Sequence, residues 1–343
     1  MTIQILTGDC RAMMQTLDAE SVQCCVTSPP YFNLRDYGVD GQIGLEPTPE
    51  AFVAALVEVF REVRRVLRPD GTVWLNLGDS YVTNPGNGRS SDERAGLGNG
   101  GGRPHRSAAD KSGCGLKPKD LLMIPARVAL ALQADGWWLR SDTIWHKPNP
   151  MPESVTDRPT SAHEHIFLLA KSERYFYDAD AIREAESVPD WDDGSRVFGG
   201  VNKHGANAQH GDRTTGRRAT SRKRGLPPRH AQYPESSDQS GLDAVPRGVG
   251  RNARNVWTIP TKPFPEAHFA TFPPELAERC IKAGSKTGDT VLDPFGGAGT
   301  TGLVADRLGR HAVLCELNPD YVALAERRIR RDAPLLADTR VTA

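Results

Sequence analysis

The chain has 343 residues, 38% of them hydrophobic, enough for a full α/β core with about 100 residues left for one smaller module. Charge is balanced at 43 Lys+Arg against 43 Asp+Glu, so the whole-chain value carries no information about a polyanionic partner. The six cysteines, at 10, 24, 25, 114, 280 and 315, form no C-x-x-C pair. With no export signal and no run approaching ~20 apolar residues, they read as thiols of a reduced, cytoplasmic protein without a membrane segment.

Short apolar runs recur along the chain at Ile3 to Leu6, Val22 to Val26, Thr72 to Leu77, Ser141 to Trp145, His165 to Leu169, Thr290 to Leu292 and Ala312 to Cys315. They predict seven mostly parallel strands. Between the second and third, Phe52, Leu56, Val59, Phe60, Val63 and Leu67 form a helical stripe, opened by Thr48-Pro49 and closed by Pro69-Asp70-Gly71. Two more helices are expected, from about Pro274 to Ala283 ending at Gly284, and from Asn318-Pro319 onward. This alternation is that of a doubly wound, Rossmann-like α/β sheet.

Two stretches break the rhythm. Thr83 to Lys119 carries nine glycines and seven basic residues, which predicts a long mobile loop. Residues 187–254 are polar and rich in Arg, Gly and Ser; from Arg213 to Arg254 ten basic residues face three acids, Glu235, Asp238 and Asp243. That is the composition of an inserted recognition segment, with a solvated linker as the alternative. The expected layout is a catalytic part over 1–186, the basic insertion over 187–254, a cofactor-binding part over 255–335 and a tail over 336–343.

Near the carboxyl end, Val291-Leu292-Asp293-Pro294-Phe295-Gly296-Gly297-Ala298-Gly299-Thr300-Thr301 reads as a strand, a glycine turn and a helix. Glu316 ends the next strand, twenty positions after Gly296, where a carboxylate can take both ribose hydroxyls. Together they read as an adenosine-binding edge, a logic that dinucleotide enzymes share, although the G-x-G-x-x-G spacing is absent. S-adenosylmethionine has no phosphate to hold, and Asp293 is placed to meet its ammonium.

Near the amino end, Thr27-Ser28-Pro29-Pro30-Tyr31 follows the second strand. The two prolines restrict the backbone, so that the Ser28 hydroxyl and the Pro29 carbonyl become rigid acceptors suited to an amino group. Tyr31 adds a face on which an extruded base can stack. Acceptors that hold the hydrogens of a base amine pull its nitrogen toward a pyramidal geometry, in line with a methyl donor.

These two motifs together closely resemble the amino-methylating DNA methyltransferases, in the circularly permuted order of the β class. The resemblance covers the chain apart from the Gly-rich loop and the insertion. It implies a catalytic motif over Ser28, Pro29, Pro30 and Tyr31, and S-adenosyl-L-methionine held by Asp293, Phe295, Gly296, Gly297, Gly299, Thr300 and Glu316. His268 to Pro273, including Phe269 and Thr271, is similar to the segment that closes over the methionine moiety, and Gly8-Asp9 to the lining of the adenine pocket. Trp145 to Pro150, with Lys147 and Asn149, resembles the wall of the target-base pocket. The permutation brings Gly296, Glu316, Asp9 and Ser28 to the carboxyl edge of one sheet.

With no Pro-Cys dipeptide for attack on cytosine C5, an exocyclic amine is the expected target. Family members with Ser at the position of Ser28 lean toward cytosine N4 and those with Asp toward adenine N6, so N4 of a flipped cytosine in double-stranded DNA is favoured over adenine N6. A catalytically silent DNA-binding protein, and RNA or protein methylation, are the other readings. Arg217, Arg218, Arg222, Lys223 and Arg224 are expected to follow phosphates and place one or two arginines on guanine edges. The resemblance is compatible with a cognate restriction endonuclease as partner and equally with a free-standing role, and the residues do not decide between monomer and dimer. His163-Glu164-His165 offers two imidazoles without a third ligand, so no metal is expected. Trp137-Trp138 is expected in the core, and Cys24-Cys25 buried and inert.

Overall fold

Thr48 opens the first long helix as its residues predict: its side chain accepts the Ala51 N–H at 3.1 Å, and Pro49 occupies the first helical position. This helix, α2 (Pro49–Val66), buries Phe52, Leu56, Val59, Phe60 and Val63 completely. It ends one residue before the predicted stripe does. Leu67 already belongs to a strand, and Pro69-Asp70-Gly71 lies inside that strand, where the pairing register shifts.

The computed structural model describes residues 1–82, 115–185, 250–261, 272–332 and 338–342. Two compact units are present, one formed by Met1–Arg183 with Asn252–Ala343 and the other by Glu184–Arg251. In the second unit, Glu184 and Arg251 pair as an antiparallel bridge and share an ion pair at 3.1 Å. The Gly-rich stretch as far as 114, and residues 187–249 of the basic segment, lie outside the described residues.

The first unit is built on β1 (Thr2–Thr7), β2 (Val22–Thr27), β3 (Leu67–Leu77), β4 (Trp138–His146), β5 (His163–Ala170), β6 (Val256–Thr258), β7 (Thr290–Asp293), β8 (His311–Glu316) and β9 (Asp338–Thr342). They form one sheet in the order β6-β4-β5-β3-β2-β7-β8-β1-β9. Every pairing is parallel except the two made by β5. Among the described residues the sheet therefore has nine strands, not seven. The additions, β6 and β9, are short edge strands with one buried residue each, Trp257 and Thr339, too little apolar signal to stand out. The stretch expected as a tail carries β9.

The remaining helices are α1 (Cys10–Gln15), α3 (Ile124–Ala134), α4 (Pro274–Gly284), α5 (Thr300–Arg307) and α6 (Pro319–Asp332). On one face, Met14, the apolar row of α2, and Val128 and Leu132 of α3 pack on Cys25, Val73, Leu75 and Leu292. On the other, Leu276 and Ile281 of α4, Leu303 of α5 and Ile329 of α6 pack on Ile3, Ile5, Cys24, Val26 and Leu314. Cys24 and Cys25 face opposite layers and are fully buried, and burial pushes both thiols up in pKa. Trp137 and Trp138 part company: Trp137 is buried, whereas Trp138, the first residue of β4, is 42% exposed. None of the helices among the described residues is long and apolar enough to cross a membrane.

Chain direction positions the site. β2 leads to β3 on one side and β7 leads to β8 on the other, so β2 and β7, adjacent in the sheet, flank a topological switch point. The crevice outside the carboxyl ends of such strands is where open α/β sheets take ligands.

Candidate active site

A cavity of about 800 Å³ opens at this crevice, within the size range of small-molecule and cofactor sites. Its wall includes Asp9 after β1, Ser28 to Tyr31 after β2, Asp293 to Ala298 after β7, Glu316 at the end of β8, and Trp145, Lys147 and Asn149 from the end of β4 onward. Five segments scattered over the chain thus share one concavity.

Asp293 joins the two principal motifs. Its Oδ1 accepts the Thr27 hydroxyl at 2.6 Å and the Phe295 N–H at 3.0 Å, and its Oδ2 accepts the Thr301 hydroxyl at 2.7 Å. Burial outweighs these donors and pushes the carboxyl up to about 6. A carboxylate offers about four acceptor sites, so one, on Oδ2, remains for a further donor. Glu316 is arranged alike: Oε2 accepts the Gly297 N–H at 2.7 Å and Oε1 the Asn318 N–H at 2.8 Å. One acceptor site per oxygen remains, the number that a vicinal diol requires. Burial holds this carboxyl above the usual range.

Asp9 caps α1 by accepting the Arg11 and Ala12 N–H groups, and the Arg11 guanidinium beside it holds its carboxyl below the usual range. Gly299 does not line the cavity. At φ 75° it starts α5, and a Cβ there would lie 2.8 Å from Ala325 Cβ, so its glycine serves the packing of the turn against α6. Thr300 lines the cavity and receives the Arg328 guanidinium at 2.8 Å. Phe272 forms part of the wall, whereas Phe269 and Thr271 lie outside the described residues, as do Arg217, Arg218, Arg222, Lys223 and Arg224.

The Ser28 hydroxyl is loosely held, 3.4 Å from Asn76 Nδ2 and 3.5 Å from the Tyr31 hydroxyl, and so keeps acceptor capacity toward the cavity. Tyr31 is tightly fixed. Its hydroxyl donates to Glu164 Oε2 at 2.5 Å and accepts from Asn76 Nδ2 at 2.7 Å. Burial and the adjacent Glu164 carboxylate push the phenol well above its usual range, so it stays protonated. Lys147 forms an ion pair with Glu164 and lies 4.6 Å over the Trp145 ring. Asn149 is tied at both ends of its amide to Thr261, at 2.9 and 3.0 Å. The side chains of both residues are therefore engaged within the protein.

Glu164 and Asn76 are the site residues that motif reasoning missed. The available signal was a polar side chain on an apolar strand face: Glu164 shares a face of β5 with buried Ile166 and Leu168, and Asn76 one of β3 with Trp74. His163 and His165, on the opposite face, meet edge to face at 5.3 Å, and His165 bonds Asp142 at 2.9 Å. Among the described residues no group of three His, Cys, Asp or Glu is arranged to hold a metal ion.

The N6/N4 DNA methylase family profile, described as DNA methylase, matches residues 22–327. The chain is 42% identical to the Type II methyltransferase M.SmaI of Serratia marcescens over 328 residues, covering 96% of this chain and 91% of that one. It is 42% identical to M.Cfr9I of Citrobacter freundii, covering 95% and 87%. Among solved structures, a putative DNA modification methylase of Thermus thermophilus complexed with S-adenosyl-L-methionine superposes with a TM-score of 0.57 at 24% identity, covering 99% of each chain. PvuII DNA methyltransferase, described as cytosine-N4-specific, superposes with a TM-score of 0.58 at 17% identity, covering 99% and 96%. The last two comparisons establish the doubly wound methyltransferase fold; the profile and the sequence relatives establish that this chain belongs to the N6/N4 DNA methylase family.

Proposed function

We propose that this protein transfers the methyl group of S-adenosyl-L-methionine to N4 of a cytosine flipped out of double-stranded DNA. The observation that carries the reading is the shared cavity in which Ser28 to Tyr31 face Asp293 to Gly297 and Glu316.

The residues fit the cofactor. Glu316 keeps two acceptor sites for the ribose hydroxyls and Asp293 one for the ammonium, while Asp9 and Phe295 bound the same cavity. When bound, the cofactor supplies an electrophilic methyl group. The chain's own contribution is placement: the Ser28 hydroxyl and the Pro29 carbonyl accept the hydrogens of the amine, and the Tyr31 ring stacks on the base. Apolar walls from Phe272, Phe295 and the prolines limit the access of water.

Cytosine is preferred to adenine because the first residue of the catalytic motif is the neutral Ser28. Residues 1–186 and 255–335 then form the catalytic and cofactor parts, and 187–254 reads the DNA through Arg217, Arg218, Arg222, Lys223 and Arg224. Likeness to Type II methyltransferases supports a restriction–modification setting with a cognate endonuclease. The test is mass spectrometry of nucleosides from DNA treated with the protein and S-adenosylmethionine. N4-methylcytosine is expected; N6-methyladenine would overturn the choice of base, and no modified base would overturn the reaction.

A further inference from the structure

Glu164 stands at the centre of the polar cluster described above, yet it belongs to neither signature motif. Its Oε2 receives the Tyr31 hydroxyl at 2.5 Å and Asn76 Nδ2 at 2.6 Å, and its Oε1 receives Lys147. The side chain is largely buried and lines the cavity. Four elements thus meet at one carboxylate: the turn after β2, β3, the segment after β4, and β5 itself.

The topology explains how Glu164 gets there. β5 runs against its neighbours, so its first residues, not its last, stand at the edge where the parallel strands end. Glu164 pairs across the ladder with Trp145 and sits at the cavity end of a face that is apolar farther along, at Ile166 and Leu168. A carboxylate in that position is costly unless it is compensated, and here every donor around it is aimed at it. Asn76 turns its amide nitrogen to the cluster while its own buried oxygen has no partner, an arrangement that leaves an acceptor unmet in order to donate. The Tyr31 ring lies directly on Gly78, where a Cβ would come within 2.5 Å of its Cε2, so the backbone there leaves room for the ring and the hydroxyl bonds are what fix its outer end.

We propose that Glu164 is a positioning residue for methyl transfer: it fixes the hydroxyl end of Tyr31 and, through Lys147, ties the target-base wall to the catalytic turn. This inference rests on the proposed reaction. With Glu164 in place the stacking ring and the Ser28 acceptor keep one relative geometry before DNA arrives; without it the ring can rotate about its χ angles and the wall loses its anchor.

The experiment is a double-mutant cycle on the full chain, measuring steady-state methylation of DNA. Glu164→Gln leaves one oxygen where Tyr31, Asn76 and Lys147 need two, and should lower kcat about 10- to 100-fold, the scale of a hydrogen bond to a charged group. KM and Kd for S-adenosylmethionine should stay within about twofold, which also checks that the variant is folded. Tyr31→Phe should also lower kcat, and the double variant should be little worse than Glu164→Gln alone, because the Tyr31 substitution removes a bond to a carboxylate that Glu164→Gln has already removed. Glu164→Asp, which keeps the charge, should recover part of the loss. Multiplicative losses in the double variant, or a Glu164→Gln kcat within about threefold of the parent, would overturn the role of Glu164 while leaving the reaction intact. Absence of DNA methylation by the parent protein would overturn both. If Glu164→Gln fails to fold, the Glu164→Asp and Tyr31→Phe cycle gives the same discrimination.

Discussion

Replacing Glu316 by Gln probes the cofactor edge with the least disturbance of shape. In the parent protein each carboxylate oxygen already accepts one backbone N–H, from Gly297 at 2.7 Å and from Asn318 at 2.8 Å. Two acceptor sites are left for two ribose hydroxyls. A hydrogen bond to a charged group contributes about 1.5–3 kcal/mol and a neutral one about 0.5–1.5, so loss of the charge costs about 1 kcal/mol per hydroxyl. Two hydroxyls give about 2 kcal/mol, or a Kd raised about 30-fold. The amide also turns an N–H toward one of the two backbone donors whichever way it is oriented, so the loss should not be smaller. Isothermal titration calorimetry with S-adenosylmethionine measures it directly, and a 2′-deoxyribose analogue should lose less affinity on the variant than on the parent. A Kd within about threefold, with a folded variant, would refute the assignment of Glu316 to the ribose.

Ser28→Ala should lower kcat about 10²- to 10³-fold, the scale for removing one positioned hydrogen-bonding group from a transition state, with cofactor Kd unchanged; transfer of a labelled methyl group to DNA reads the first and calorimetry the second. Asp293 links pH to stability. Its folded pKa of about 6 lies above the ordinary 3.8, so its contribution is fully present below about pH 4 and is lost as pH rises through 6. Ionisation of the buried carboxyl then costs about 3 kcal/mol at pH 8. Urea unfolding should show Asp293→Asn gaining on the parent between about pH 4.5 and pH 8, and a pH-independent difference would contradict this. Replacing Arg217, Arg218, Arg222, Lys223 and Arg224 together by Ala should weaken DNA binding and flatten its salt dependence, as a titration at several salt concentrations will reveal; an unchanged slope would remove that segment from the DNA interface.

Much of this architecture was legible because local chemistry and tertiary fate agree. The seven interior strands announce themselves as short apolar runs, and Thr48-Pro49 and Asn318-Pro319 start helices where a side-chain oxygen and a proline should. The Thr27–Asp293–Thr301 link could not be read, since it depends on two segments 266 residues apart lying in adjacent strands. Glu164 was passed over as a site residue for a different reason. Looking at the carboxyl ends of strands finds Asp9, Ser28 to Tyr31, Asp293 to Ala298 and Glu316 but passes over the start of an antiparallel strand. Gly299 lies outside the cavity lining, and a glycine required by backbone φ and by helix packing looks in sequence like one required by a ligand. Trp138 was misassigned because a tryptophan that opens a strand beside the sheet edge, where β6 pairs only with Ile144 to His146, is not covered as an interior strand residue is.

The sheet order also constrains how the chain is made. β1 lies between β8 and β9, and His311, which receives the Thr2 N–H, comes 309 residues later. At translation rates of roughly 5–20 residues per second, both edges of this strand stay unpaired for roughly 15–60 s while the rest of the domain is synthesised. Ile3 and Ile5 are fully buried in the finished sheet against residues of α4, α5 and α6, which are also synthesised late. The first of these nine strands in chain order is therefore among the last to gain both of its sheet neighbours.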